Sequence, residues 1–181
     1  MNQRESNNYA LYNLQEEVAL ISDVKTRGFA VECIFNAPGL YWYRPSAFFK
    51  SHHPDDELGE WGNLIHVKRV LVMAKMMVEI EDLSVIDRDT LYPALIIHDI
   101  GKYGVDGEEE RIRKDHAEIA AAILEKYVGT NIEPIKPIIE IVRRHMGRWA
   151  EVKPVTVLEK LGHYCDCIAS RVNINIPVVL K

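Results

Sequence analysis

The sequence predicts an all-α protein, a single-domain helical bundle of about six or seven helices. Three observations carry that expectation. Apolar residues recur at helical spacing in one stretch after another; Ile138, Ile141 and Val142 stand at i, i+3 and i+4 on one face. Prolines and glycines punctuate those stretches, with Pro134 and Pro137 where a helix start tolerates them and Gly129 where a helix stops. No internal repeat, low-complexity segment or linker divides the 181 residues, which suffice for one sizeable core.

Taken in order, residues 1–8 are polar and read as a disordered lead-in, leaving 9–181 as the domain. Leu11, Leu14, Val18 and Ile21 mark a first helix from Tyr9. Ser22 and Asp23 can cap a second one through Phe35. Residues 36–60 form the longest irregular stretch, holding Tyr41, Trp42, Tyr43 and the run His52-His53-Pro54-Asp55-Asp56. A long loop inside one domain is more often functional than idle, although a solvated polar turn is the simpler reading of that run. The three aromatics could stack on a base or simply pin the loop to the domain.

From Trp61 to Ile80 runs a long helix, apolar nearly all round and therefore expected to be central, with a Met73, Met76 and Met77 cluster as core packing. Ser84 to Thr90 reads as a polar connection. Ala94 to Ile97 belong to a buried helix ending in His98 and Asp99, which Gly101 could close with a left-handed cap. Gly107 and Glu108–Glu110 are expected to open the next helix, its acids at the positive end. Two further helices carry His145 and Asp166, and the tail 172–181 is either extended or disordered.

The balance of 22 basic against 27 acidic residues, net −5, argues against a general nucleic-acid or anionic-membrane binder. No run approaches the roughly 20 apolar residues of a membrane span. Three cysteines and no signal peptide suggest a reducing cytoplasm, with Cys165 and Cys167 as core residues rather than a zinc pair. Apolar surface on the first two helices allows a homodimer.

The chemistry gathers around histidines. His66, His116 and His145 each complete an apolar stripe on a separate helix, and His98-Asp99 ends a fourth. Singly, each is explained as a hydrogen-bonded core residue, and the pair as a helix end with an ordinary ion pair. Together they put several imidazoles and a carboxylate into one core, which a shared metal would explain. Imidazole and carboxylate without thiolate suit Mn, Fe, Co, Ni or Zn, with Mg allowed if oxygen ligands dominate.

Pro45-Ser46, His53-Pro54, Gly62-Asn63-Leu64-Ile65-His66, His98-Asp99-Ile100-Gly101-Lys102 and Asp166-Cys167-Ile168-Ala169 follow one another in an order that resembles the HD superfamily of metal-dependent phosphohydrolases. The resemblance covers roughly residues 45–171. It departs from the usual pattern at Asn63 and Val67, and at Cys165 in place of alanine before Asp166. Carried over by position, it implies metal ligands at His66, His98, Asp99 and Asp166. His116 and His145 match the extra histidines of two-metal members, where the signature aspartate bridges both ions.

That resemblance implies a hydrolase that cleaves a phosphate ester or anhydride with a metal-activated water. The expected substrate is a small nucleotide, a nucleoside monophosphate or a (deoxy)nucleoside triphosphate. Asp99 and Lys102 are the expected catalytic groups, and Lys102, Arg144, Lys68 and His53 the candidates for holding substrate. Two alternatives stay open: a diiron oxygenase on the same fold, and a non-catalytic nucleotide-sensing module stabilised by metal.

Overall fold

Seven α-helices and four single 3-10 turns carry the chain among the residues described by a computed structural model, which are 1–49, 52–174 and 176–181. Helix α1 spans Gln3–Val18, so the lead-in expectation fails. Asn2 closes a reciprocal cap with Glu5, its side chain accepting from the Glu5 N–H while its own N–H donates to the Glu5 carboxylate, both at 2.9 Å. A polar stretch can start a helix when its polar groups satisfy the orphan backbone donors.

Helix α2 (Val24–Phe35) begins at Asp23, as its capping chemistry suggests. Helix α3 spans Gly62–Ile80 and α4 spans Val85–Ile97. Ser84 caps α4, so Ser84 to Thr90 is the helix's first two turns rather than a connection. Helices α5 (His116–Leu124), α6 (Ile135–Arg144) and α7 (Val157–Ala169) complete the set. The Gly107–Glu110 start is also corrected, because Gly104 and Gly107 adopt positive φ and the Arg113 N–H turns back to the Lys102 carbonyl.

The central helix is α4, not α3. It packs against α2, α3, α6 and α7, and Leu91, Ala94, Leu95, Ile96 and Ile97 are fully buried. Each large aliphatic there contributes about 1.5–3 kcal/mol by leaving water. The buried Asp89 carboxylate accepts the Ser22 and Asp23 N–H groups at 2.6 and 2.8 Å, which ties α4 to the α1–α2 link. Helix α3 buries one face on α7 and leaves Val72, Met76 and Ile80 exposed, so Met76 is not part of the core. Apolar content measures what a helix can bury; only its neighbours decide what it does bury.

The described residues of the 36–61 stretch form two short 3-10 turns, Tyr41–Tyr43 and Asp55–Glu57, and are otherwise irregular but anchored. Tyr41 and Trp42 are fully buried, and the Trp42 indole donates to the Ile34 carbonyl at 3.1 Å. These rings pin the loop and do not line a ligand cavity. The chain after α7 lies back over α3 and α1: Arg69 Nε donates to the Ile176 carbonyl at 2.9 Å, and the Lys181 N–H to Asn13 at 2.7 Å. No helix is long and apolar enough to cross a membrane among the described residues.

Candidate metal centre

Helix α4 ends at Ile97, and the chain continues through successive i to i+3 turns, Ile100 N–H to Ile97, Lys102 N–H to Asp99 and Gly104 N–H to Gly101. This tightened path lets two sequence neighbours face one point, with His98 Nε2 3.3 Å from Asp99 Oδ2. Gly101 is not in a left-handed cap. Its role is close approach: a Cβ there would lie 2.5 Å from the Ala120 nitrogen and the His116 carbonyl oxygen. The bare α-carbon therefore seats this turn on the first turn of α5 and brings His116 to Asp99.

Asp99 divides the site. Its Oδ1 lies 3.1 Å from His116 Nε2 and 3.4 Å from His145 Nε2. Its Oδ2 lies 3.3 Å from His98 Nε2 and 3.7 Å from His66 Nε2, and accepts from Lys102 Nζ at 2.6 Å. Asp166 stands opposite, its Oδ1 3.1 Å from His66 Nε2 and 3.8 Å from His98 Nε2. His66, His98, Asp99, His116, His145 and Asp166, contributed by α3, the α4–α5 turn, α5, the end of α6 and α7, thus surround one buried space.

The imidazoles are prepared as lone-pair donors. His98, His116 and His145 each donate Nδ1–H to the carbonyl three residues back, Leu95, Arg113 and Val142, at 2.7–2.8 Å. A carbonyl only accepts, so a proton sits on each Nδ1 and each ring turns its Nε2 into the site, where a metal would take the lone pair. His116 and His145 then oppose two acceptor nitrogens at 3.2 Å, with Asp99 Oδ1 as a third. His98 Nε2 is buried with no hydrogen-bond partner among the described residues. Acceptors crowded together out of water are costly unless a cation lies among them, and this donor set fits a divalent ion.

The charges agree. Burial opposes a charge on Asp99, yet the Lys102 ammonium beside it holds its carboxyl well below the usual range. Asp166 is likewise held low against burial by the hydrogen bond from His66. His66 is fully buried, which disfavours its charge, but Glu57 and Asp166 push it up to about 9.

Glu57 is the residue that sequence reasoning missed. It is fully buried, with Oε2 2.6 Å from His53 Nδ1 and 3.1 Å from His66 Nδ1, while Arg69 ion-pairs with its other oxygen. It holds His66 from behind. His53 does border the cavity, as does Lys102, whose ammonium also donates to Ser46 at 2.9 Å. Arg144 and Lys68 do not. Arg144 pairs with Glu140 and Glu159, and Lys68 with Glu17. Each is close in sequence to a site histidine, but one or two residues rotate a helical side chain by about 100° or 200°.

Above the cluster opens a cavity of about 920 Å³. Its walls include Phe48, Phe49, Arg111, Arg148, Trp149 and Arg171, none of which the site reading had picked.

A family model described as HD domain matches residues 63–171, more than half of the chain. Among curated proteins, the chain is similar to the 3'-5' exoribonuclease YhaM of Bacillus pumilus, 32% identical over 127 residues. That match covers 62% of this chain and 39% of the relative, so the chain spans well under half of the relative's length. No solved structure matches.

Proposed function

Because the chain belongs to the HD-domain family, we propose that it is a metal-dependent hydrolase of a phosphate ester or anhydride in a nucleotide. The observation that carries this reading is the division of Asp99, with one oxygen toward His116 and His145 and the other toward His66 and His98. Asp99, His116 and His145 would hold one divalent cation, and His66, His98, Asp99 and Asp166 a second. Mn, Fe, Co, Ni or Zn suit these donors. Bound there, such ions acidify a water and neutralise charge on the phosphoryl oxygens.

The chain's own groups do the rest. Asp99 fixes the spacing of the two halves. Glu57 orients His66, and the Nδ1 bonds to backbone keep the other three rings turned inward. Lys102 places a positive charge against Asp99 on the cavity side, where it can meet a phosphoryl oxygen. His53 stands at the wall beside it and can contact the leaving group.

The substrate we propose first is a small nucleotide, a nucleoside monophosphate or (deoxy)nucleoside triphosphate, which the cavity volume accommodates. A second reading has support in the relative's printed name: a phosphodiester bond of RNA. The test is phosphate or nucleotide release from a panel of nucleotides and short RNAs, with each metal restored to chelated protein. Release that disappears in Asp99→Ala supports the hydrolase reading. No release from folded, metal-loaded protein on any member of the panel overturns it.

A further inference from the structure

The cavity's floor is accounted for by the histidine cluster; its rim is not. Three arginines line that rim, Arg111, Arg148 and Arg171, and none has a carboxylate partner among the described residues. Most other arginines are either ion-paired, Arg69 to Asp56 and Glu57, Arg113 to Asp115, Arg143 to Glu118 and Glu125, Arg144 to Glu140, or bonded to backbone carbonyls, as Arg27, Arg44 and Arg88 are. In a chain of net charge −5, acids were available to neutralise the rim as well. Outside the histidine cluster, Glu110 is the one carboxylate lining the cavity among the described residues.

The same cavity is lined by three large exposed rings. Phe48, Phe49 and Trp149 are 46%, 78% and 56% exposed, an arrangement that costs free energy in water unless a ligand covers it. Arg148 already stacks on Trp149, its guanidinium carbon 4.3 Å from the ring centroid, forming a flat cationic platform. Phe48 packs edge-on to Tyr103, which holds it at the wall. Exposed planar rings and guanidinium groups without carboxylate partners around one cavity match the bases and phosphates of a single strand.

We propose that this rim is a track for a short single-stranded oligonucleotide, whose bases stack on Trp149 and Phe49 while its phosphates meet Arg111, Arg148 and Arg171. One nucleoside unit could use only part of such a surface. The overall acidity of the chain does not oppose this, because the positive charge is concentrated where the strand would enter. The proposal rests on the hydrolase reading for the placement of the cut, and deepens its second reading, a nucleic-acid strand, over the small nucleotide.

The test measures binding of fluorescent RNA and DNA hexamers with hydrolysis-resistant phosphorothioate linkages to metal-loaded protein, against a mononucleotide competitor. The hexamer is expected to bind at least about tenfold more tightly than the mononucleotide. Trp149→Ala weakens hexamer binding by about tenfold. Arg148→Ala lowers the slope of log affinity against log salt by about 0.7, the loss of one phosphate contact on a single strand, and Arg148→Lys restores it. Equal affinity for mononucleotide and hexamer, or unchanged affinity and slope in the variants, overturns the track. Turnover of bis(p-nitrophenyl) phosphate by the wild-type protein reads the metal centre separately. If that turnover is absent while the hexamer binds with the predicted slope, the hydrolase reading falls and the track stands. If it is present while mononucleotide and hexamer bind alike, only the track falls.

Discussion

The floor and the rim of one cavity are built on opposite plans. On the floor, carboxylates and imidazole lone pairs crowd together in a buried space, and Asp99 alone meets Lys102, His66, His98, His116 and His145. On the rim, three exposed guanidinium groups lack a carboxylate partner among the described residues and share the wall with exposed rings. The floor has an excess of electron-pair donors and calls for cations; the rim has an excess of cations and calls for an anion. Under the proposed function, a phosphate substrate would satisfy the second surface while the metals that the first can hold would act on it. The difference also shows where precision is needed. Three of the floor imidazoles are fixed by backbone hydrogen bonds, whereas the rings and guanidinium groups of the rim are exposed.

The largest expected effect comes from breaking the floor at its shared ligand. Asp99→Ala removes both oxygens and should lower phosphate-bond turnover by at least about a thousandfold. Steady-state kinetics at saturating metal would check this; a loss under tenfold would mean Asp99 does not link the two halves. Glu57→Gln tests the support behind the floor. It keeps the size but weakens the hold on His66, and metal affinity should fall about 10–100-fold, read by competition with a chelator.

Gly101→Ala tests the fit of the turn on α5. The added methyl would meet backbone at 2.5 Å, and overpacking of this kind costs about 1–3 kcal/mol, seen as a lower melting temperature. A protein as stable as wild type would show that the turn can shift.

The smallest effect is the pH dependence of chelated protein. Asp99, Asp166 and Glu57 have carboxyls held below their unfolded values by neighbouring positive groups, so they stabilise the fold above about pH 4 and lose that contribution as the pH falls. His66 is shifted the other way, so its contribution is complete below about pH 6.5 and is lost as the pH rises toward 9. Burial shifts His53 and His145 down, so protonating them costs stability below about pH 6.5, and the melting temperature should therefore peak near pH 6.5. A flat profile from pH 5 to 9 would contradict the charge assigned to His66.

Much of the floor was legible in the sequence because helical periodicity shows which way a side chain points. His66, His116 and His145 each completed an apolar stripe, and each faces the cluster. Asp166, at the edge of its stripe, faces it too. Glu57 was not legible, since an acid in an irregular loop has no period to betray its direction. Lys68 and Arg144 were misread for a related reason, proximity in sequence being mistaken for proximity in space. The rim was hidden because it is assembled from four separate segments, around residues 48, 111, 148 and 171. The helix start proposed at Gly107–Glu110 failed because favourable charges cannot open a helix through two glycines at positive φ.

The central claim is that the two oxygens of Asp99 serve two cations. The most direct measurement is metal content per chain by mass spectrometry after equilibration with Mn and removal of free ion, for wild type, His66→Ala and His116→Ala. The account predicts about two ions in the wild type and about one in each variant, since each removes a ligand from one half only. One ion in the wild type, or two retained in His116→Ala, would contradict it.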